Sequence, residues 1–240
     1  MPKVKYNRAV VKISGEEFGN GIDTDSVKFI AGEVKAAAAT SARLALVVGG
    51  GNIVRGAELS KLGTSRAQAD YAGMVATVIN ALVLQDALEG MGVKTATQSV
   101  LEIYELVEPY NRRNCRRYLD EGKVVILAGG TGNPFLTTDS AAAIKALELE
   151  ADVLLKATKV DGVYSADPFI DSSAKFFDRL TYKQVLDGSF KTLFDPAAVT
   201  LCRDNHLPII IFKLKTQHNI RKVIEGETIG TFIGADGDKR

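Results

Sequence analysis

Short runs of apolar residues alternate along the chain with longer segments in which apolar residues recur at the spacing of an α-helix. Runs that predict strands cover residues 9–13, 44–48, 93–96, 124–127, 153–157, 209–212 and, as an edge strand, 231–233. Helical spacing covers residues 24–39, 65–88, 111–119, 140–147 and 195–205. Most strand runs are almost wholly apolar, as parallel strands covered on both faces are. The alternation therefore predicts an α/β fold, a three-layer α/β/α sandwich with a mainly parallel central sheet.

Composition narrows the class of protein. A chain of 240 residues is long enough for one large α/β domain, and we expect residues 1–240 to form a single domain. The formal net charge is +1, so no strong field points to nucleic acid as a partner. Cys115 and Cys202 are far apart and lack metal-ligand spacing, which suits a reducing compartment. No apolar leader follows Met1 and no stretch approaches a membrane span, so we expect a cytoplasmic protein.

A loop rich in threonine, residues 131–139, connects the strand at 124–127 to the helix that follows it. Open α/β sheets bind ligands in such loops, at the carboxyl ends of their strands. The backbone N–H groups of the loop and the hydroxyls of its three threonines can donate to phosphate or sugar oxygens. This loop is therefore the most informative sign of a ligand site in the sequence.

A run of three glycines and one asparagine, residues 49–52, follows the strand at 44–48. Glycines let a backbone pass close to a bulky anion because no Cβ atom interferes. The run is not a Walker A loop, since no Gly-Lys-Ser/Thr follows it, and it is not a dinucleotide fingerprint. We interpret it as a phosphate-binding loop, with a flexible turn as the alternative.

Two basic residues lie near these loops. Lys12 is inside an apolar strand, where it is costly to bury unless it reaches an anion at the strand end, next to Ser14-Gly15. The alternative for Lys12 is an edge-strand lysine that faces water. Arg55 follows the glycine run by four residues and can fold back on the same phosphates, although a surface arginine is the common alternative.

Three carboxylates each have two interpretations. Asp70 is either an acceptor for sugar hydroxyls or a helix charge favoured by the macrodipole. Asp161 and Asp167 lie in the turn-rich segment 159–168, where turn chemistry alone can explain both. Tyr164 lies between them, and a ring with neighbouring carboxylates can also hold a nucleobase and a ribose.

In their order along the chain, these motifs resemble those of the bacterial UMP kinases, which have the amino-acid kinase fold. The matching segments are residues 12–16, 49–52 with 55–56, 69–74, 131–139 and 156–164 with 166–168. The resemblance covers nearly the whole chain. The threonine-rich loop combined with the Lys-Val-Asp-Gly-Val-Tyr segment is highly specific.

The resemblance implies transfer of the ATP γ-phosphate to UMP, giving UDP and ADP, with Mg²⁺ held mainly by the nucleotide phosphates and no protein metal site. The residues it implies for ATP are Lys12, Ile13, Ser14, Gly15, Gly51, Arg55, Thr158, Tyr164 and Asp167. Those for UMP are Gly50, Asp70, Thr131, Gly132, Asn133, Pro134, Phe135, Leu136, Thr137 and Thr138. Those implied in catalysis are Lys12, Arg55, Asp139, Asp161 and Asp195. The part of the chain from about residue 150 to 240 would then serve mainly ATP, and the earlier part mainly UMP.

The resemblance further implies a homohexamer that is inhibited by UTP and acts in pyrimidine nucleotide biosynthesis. Family members are activated by GTP, but the segment 16–23, which contributes to their GTP site, is shorter here than in many relatives. We therefore carry over no effector residues. The acceptor oxygen belongs to a phosphate that is ionised at neutral pH, so no general base is needed, in keeping with the isolated His206 and His218.

Three other functions compete with this one. A kinase of the same fold that acts on a carboxylate or carbamate, such as an acetylglutamate kinase, would have less use for Asp70 and the threonine-rich loop. A non-catalytic nucleotide- or oxyanion-binding protein would not need both Lys12 and Arg55. A nucleic-acid-binding regulator would use the basic cluster at 112–117, although a solvated helix face explains that cluster in a near-neutral chain.

Overall fold

The structure is a computed structural model that describes residues 4–188 and 194–237, apart from the side chains of residues 57 and 60. Its strands are β1 (Arg8–Ile13), β2 (Arg43–Val48), β3 (Thr95–Ser99), β4 (Glu108–Pro109), β5 (Val124–Ala128), β6 (Val153–Thr158), β7 (Val163–Tyr164), β8 (Phe176–Phe177), β9 (Arg179–Thr181), β10 (Ile209–Lys213) and β11 (Thr231–Gly234). Its helices are α1 (Thr24–Ala38), α2 (Gly56–Lys61), α3 (Arg66–Gly90), α4 (Arg112–Asp120), α5 (Thr138–Glu148), α6 (Tyr182–Asp187), α7 (Pro196–Asp204) and α8 (Asn219–Glu225), with a 3₁₀ turn at Gly15–Phe18.

Nine strands form one central sheet in the order β4-β3-β5-β2-β1-β6-β10-β11-β9. Neighbouring strands are parallel except for β10 and β11, which are antiparallel. The remaining two strands, β7 and β8, form a separate antiparallel ribbon. The predicted α/β class with a mainly parallel sheet is confirmed. Strands β1 and β6 lie side by side near the middle of the sheet, with four strands on one side of the pair and three on the other.

The side chains of the central strands alternate between two hydrophobic cores. Val11 and Ile13 of β1 pack in a core with residues of α1, α3 and α8, whereas Val10 packs in a second core with residues of α4, α5 and α7. These helices therefore cover the two faces of the sheet and give the predicted three layers. Because side chains alternate along a strand, Lys12 lies on the same face as Val10, towards α5.

Two predicted strands need correction. The third strand runs from Thr95 to Ser99 rather than from 93 to 96, because the Val93 N–H still bonds to the Leu88 carbonyl at the end of α3. The predicted edge strand, β11, is not at the edge, because β9 pairs with its outer side. Strand β9 has only three residues, one of them apolar, so its sequence carries no strand pattern.

Three short helices, α2, α6 and α8, were not predicted, because each spans only six or seven residues and shows too few turns for helical spacing to appear. The longer helices were predicted to within a few residues. Asp23 caps α1 as expected, since its carboxylate accepts from the Ser26 N–H at 2.8 Å.

By length and composition alone, one helix in the described part of the chain, α3, is apolar enough to cross a membrane, which the sequence analysis did not anticipate. Its buried side chains, such as Leu84 and Leu88, belong to the core beneath the sheet, as in the central helix of a globular protein. Cys115 and Cys202 are buried free thiols, and burial raises the pKa of each to about 12.

Candidate functional site

Two lysines from neighbouring strands share one buried carboxylate. Lys12 on β1 pairs in register with Lys156 on β6, so both side chains rise from the same face of the sheet. Asp139, in the first turn of α5, lies above them: its Oδ1 is 3.1 Å from Lys12 Nζ and its Oδ2 is 2.6 Å from Lys156 Nζ. Each of the three residues is only 8% exposed. Sequence reasoning found Lys12 and Asp139 but missed Lys156, although a lysine inside an apolar strand is the signal that had identified Lys12.

The charges of this triad, Lys12–Asp139–Lys156, do not cancel. Burial by itself would raise the pKa of Asp139, but attraction from the two ammonium groups outweighs burial and lowers it. The pKa of Lys156 is lowered, chiefly by burial and also by Lys12, while Asp139 opposes that shift. With both lysines charged, the triad carries one net positive charge inside the protein, which favours the approach of an anion.

Lys12 is not an edge-strand lysine facing water. Strand β1 has partners on both sides, and Lys12 Nζ also donates to Ser14 Oγ at 2.8 Å. Ser14 lies at the start of the 3₁₀ turn, directly before Gly15. The side chain of Ile13 points away into the core, so only its backbone can take part in a site here.

The glycine run packs backbone against backbone. A Cβ atom on Gly15 would clash with the backbone nitrogen of Gly51, and one on Gly49 would lie 2.6 Å from the backbone nitrogen of Gly15. A Cβ on Gly50 would lie 2.6 Å from the carbonyl oxygen of Gly73 on α3. The glycines are therefore required because the run is wedged between the Gly15 turn and α3, which a merely flexible turn would not need.

Gly50 and Gly51 give a matched pair of substitutions. Gly50→Ala should destabilise the protein by about 1–3 kcal/mol, because the new methyl group overlaps the α3 backbone. Gly51→Ala should change stability by less than about 0.5 kcal/mol, since its Cβ would meet no described atom within 4 Å. It should still weaken nucleotide binding, because the methyl group would enter the space that Gly51 borders. Urea unfolding together with calorimetric titration of nucleotide would check both, and a strongly destabilised Gly51→Ala would contradict this packing.

A cavity of about 240 Å³ lies between the glycine run, α3 and the threonine-rich loop. It is lined by six of the ten residues that the sequence analysis assigned to UMP: Gly50, Asp70, Thr131, Leu136, Thr137 and Thr138. The other four, Gly132, Asn133, Pro134 and Phe135, do not line it, and the Phe135 ring is 67% exposed. The structure thus brings the two predicted loops together around one space.

Asp70 joins the threonine-rich loop to α3. Its carboxylate accepts from the Phe135 N–H at 2.7 Å and from Arg66 Nε at 2.8 and 2.9 Å. Asp70 lies in the second turn of the helix, so its contacts are specific ones rather than a general interaction with the macrodipole. Arg66, which lines the cavity and lies 5.7 Å from the Phe135 ring centroid, was missed. Its spacing of four residues from Asp70 on a predicted helix was the available signal.

Thr137 and Asp195 connect the threonine-rich loop to the C-terminal part of the chain. Thr137 Oγ1 caps α5 by accepting from the N–H groups of Asp139 and Ser140, and it donates to Asp195 Oδ2 at 2.7 Å. Asp195 also accepts from Ser140 Oγ and, as the N-cap of α7, from the Ala197 N–H. Asp195 therefore positions the start of α5, on which Asp139 lies, and its negative charge also attracts Lys156, which opposes the fall in the pKa of that lysine.

Arg55 folds back on the glycine run as predicted. Its Nε donates to the Gly51 carbonyl at 3.1 Å, and its guanidinium lies 3.3 Å from Glu16. Glu16 also accepts from Lys159 at 3.0 Å, and this hydrogen bond is the main cause of its lowered pKa. These side chains border a second cavity of about 520 Å³, which is also lined by Lys215. Gly51 lines both cavities, so the run separates two adjoining spaces.

The segment after β6 is shaped by turn hydrogen bonds. Thr158 Oγ1 donates to the Val160 carbonyl at 2.8 Å, and Asp167 accepts from the Phe169 N–H at 2.9 Å, as a turn-forming aspartate does. Tyr164 stacks edge-on against Phe176, and burial, together with the charge of Asp161, raises its pKa. Tyr164 and Asp161 therefore lie close enough to interact.

The described residues include no group of three or more His, Cys, Asp or Glu side chains placed to hold a metal ion. Asp139 is the acidic residue closest to the lysines, and both of its oxygens already have ammonium partners.

Three arginines of the basic cluster of α4 form ion pairs with neighbouring acids. Arg112 and Arg116 both pair with Glu150, at 2.8 and 2.6 Å, and Arg117 lies 3.7 Å from Glu121. This pattern matches the solvated helix face that the sequence analysis preferred to a nucleic-acid surface.

The comparisons with known proteins agree on one family. The sequence profile described as the amino acid kinase family matches residues 7–213. The chain is 33% identical to a UMP kinase from Bacillus anthracis, with a TM-score of 0.93 over 97% of both chains. It is 33% identical to a UMP kinase from Ureaplasma parvum, with a TM-score of 0.89 over 96% of this chain and 99% of that one. A uridylate kinase from Archaeoglobus fulgidus is 29% identical, with a TM-score of 0.77 over 94% and 99%.

Proposed function

The chain belongs to the amino acid kinase family, and from that membership and the geometry of its site we propose that it is a UMP kinase. It transfers the γ-phosphate of ATP to UMP and produces ADP and UDP. The observation that carries the proposal is the buried triad of Lys12, Asp139 and Lys156. The triad is adjacent to residues of both cavities: Lys12 contacts Ser14 in the turn that packs on Gly51, which lines both, and Asp139 follows the cavity residue Thr138.

The reaction needs charge stabilisation rather than acid–base chemistry. An oxygen of the UMP phosphate, already ionised at neutral pH, attacks the γ-phosphorus of ATP, and the bond from that phosphorus to the β,γ-bridging oxygen breaks. Negative charge spreads over the transferring group. Lys12 and Lys156 supply fixed positive charge beside it, and Arg55 supplies a further cation next to Gly51. Mg²⁺, when bound with ATP, neutralises part of the phosphate charge.

Asp139 acts as the organiser of the two lysines. Without it, two ammonium groups from paired strands would repel each other with no carboxylate between them. Because it follows the Thr137 cap, the carboxylate is fixed by the first turn of α5. Asp195 supports this turn by accepting hydrogen bonds from Thr137 and Ser140. Its proposed role in catalysis is therefore indirect, through the position of Asp139.

The two cavities suggest how the nucleotides divide the site. UMP occupies the smaller one, where Asp70 accepts from ribose hydroxyls and the threonine-rich loop contacts the base. The ATP phosphates lie along Gly51 and Arg55 in the larger one, next to the Gly15 turn that packs on Gly51. Thr158, Tyr164 and Asp167 hold the ATP nucleoside, so the part of the chain from about residue 150 serves mainly ATP.

A homohexamer fits the outer face of α3. Tyr71, Val75 and Ile79 recur every four residues along it and are 41%, 46% and 41% exposed. A stripe of this kind on a solvated helix marks a surface for association, here with a second copy of the chain. Sedimentation equilibrium would give the mass of the assembly.

We propose further that UTP inhibits the protein and that it acts in the cytoplasm, in pyrimidine nucleotide biosynthesis. We make no proposal about activation by GTP.

The test of the proposed function is product identification with Mg-ATP and a panel of acceptors: UMP, CMP, dTMP, AMP and N-acetylglutamate. UDP formed selectively would support the reaction and its substrate. ADP release with N-acetylglutamate alone would keep the family and overturn the assignment of the threonine-rich loop. Nucleotide binding without transfer to any acceptor would favour a non-catalytic protein.

A further inference from the structure

Asn80 is a polar residue in an apolar place. It lies in the middle of α3, it is fully buried, and its neighbours Ala81 and Leu84 belong to the core. Asparagine is a poor helix former, and a buried carboxamide destabilises a protein unless its donors and acceptor are satisfied. Its presence therefore calls for specific partners.

Those partners are at both ends of the glycine run. Asn80 Nδ2 donates to the Gly49 carbonyl at 2.7 Å and to Asn52 Oδ1 at 2.7 Å, while Asn80 Oδ1 accepts from Asn52 Nδ2 at 3.1 Å. The Gly49 carbonyl can only accept, which fixes the orientation of the carboxamide. Both of its N–H donors and its carbonyl oxygen are thus used on one short loop.

Asn52 extends this link to the opposite side of the loop. Its Nδ2 also donates to the Gly21 carbonyl, and its own carbonyl accepts from the Gly21 N–H at 3.1 Å. A Cβ atom on Gly15 would lie 2.8 Å from Asn52 Oδ1, so the Asn52 side chain also borders the Gly15 turn. The pair of carboxamides therefore connects α3, the glycine run and the segment after Gly15.

The glycine run depends on such an external anchor. Glycines have no side chains of their own to fix the backbone and adopt many conformations. The Gly49 carbonyl and the Gly50 N–H belong to the same rigid peptide plane and point in opposite directions. Holding the carbonyl against Asn80 therefore also sets the direction of the Gly50 N–H, next to the cavity that Gly50 lines.

We propose that Asn80 is a positioning residue for phosphoryl transfer: through Gly49 and Asn52 it fixes the loop on which the phosphates of both nucleotides bind. The inference rests on the proposed function, because it takes the glycine run to be a phosphate site. Asn80 touches neither nucleotide. It acts through the backbone of the loop.

The test compares Asn80→Leu with Leu84→Ala. The first removes every hydrogen bond to the loop at nearly constant volume. The second makes a cavity one turn further along the same helix, in the core and away from the loop. We expect Asn80→Leu to raise KM for both ATP and UMP about tenfold, because the Gly49 carbonyl loses its partner. Since the loop binds ground and transition states alike, kcat should change less than about threefold. Leu84→Ala should lower stability while leaving both KM values unchanged.

Two further measurements test the proposal if Asn80→Leu does not fold or if UMP is not the acceptor. Asn52→Ala, on the half-buried side of the pair, should raise KM for both nucleotides in the same direction by a smaller factor, and it serves if Asn80→Leu fails to fold. The dissociation constant of ATP, measured by calorimetry without acceptor, tests Asn80 even if UMP is not the substrate. Unchanged ATP affinity in folded Asn80→Leu, or in Asn52→Ala if only that variant folds, would overturn the proposal.

Discussion

Replacing Lys12 with alanine is expected to lower kcat by about 100- to 1000-fold and to change KM for ATP and UMP far less. The ammonium group contacts Ser14 in the turn that packs on Gly51, beside the proposed site of transfer, and one fixed donor of this kind contributes to the transition state by about that factor. Asp139 keeps Lys156 as a partner, so the variant should still fold. Steady-state kinetics with Mg-ATP and UMP would measure the effect.

Lys28→Ala is the matched control, because Lys28 is an exposed lysine on α1. It should leave kcat and both KM values within a factor of about two, as expected for a surface substitution. A Lys12→Ala variant with near-normal kcat would sink the catalytic assignment of this lysine. A rise in KM at constant kcat would instead make Lys12 a residue that binds the ground state.

Asp139→Asn is expected to lower the free energy of unfolding by about 3–5 kcal/mol at pH 7, because it leaves two buried ammonium groups without their counter-charge. Activity should fall with it, since both lysines then lose the carboxylate that they share. Urea unfolding followed by circular dichroism would measure the loss. Asp86→Asn, at an exposed position of α3, is the control and should change stability by less than about 0.5 kcal/mol.

The pH dependence of that difference has a definite sign. The pKa of Asp139 is lowered in the folded protein from its ordinary value of 3.8, so its ionised form stabilises the fold. The advantage of the natural chain over Asp139→Asn should therefore be complete above pH 3.8 and should shrink as pH falls through the lower folded pKa. A difference that grows on acidification would show that Asp139 is protonated in the folded protein at neutral pH.

Much of the fold follows from local patterns. The central strands are long enough and apolar enough to be recognised one by one, and their alternation with helices fixes the class. Strand β9 and helices α6 and α8 were not predicted from the sequence, because their formation depends on tertiary contacts. The Tyr182 hydroxyl of α6, for example, donates to the carbonyl of Leu207, 25 positions further along the chain. Such a contact leaves no periodic signal in either segment.

The types of residue in the candidate site could be predicted from the sequence, but the contacts between them could be predicted less well. Lys12 and the glycine run could be recognised from the sequence alone, because a buried charge and a cluster of glycines both need an explanation. That Asp139 would join Lys12 to Lys156 depends on the register of β1 and β6, which no local pattern sets. The partners of Asp70 and Thr137 show the same limit, since each bonds to a residue more than fifty positions away.

The triad also leaves an unbalanced buried charge in the core, at the proposed catalytic centre. Two lysines on paired central strands stand where other α/β proteins place apolar side chains, and one carboxylate offsets only one of their charges. An anion bound beside them offsets the other and stabilises the folded chain by mass action. The thermal stability of this protein is thus linked to its substrates, and a cell rich in nucleotides would hold it in a more robust state than a starved one.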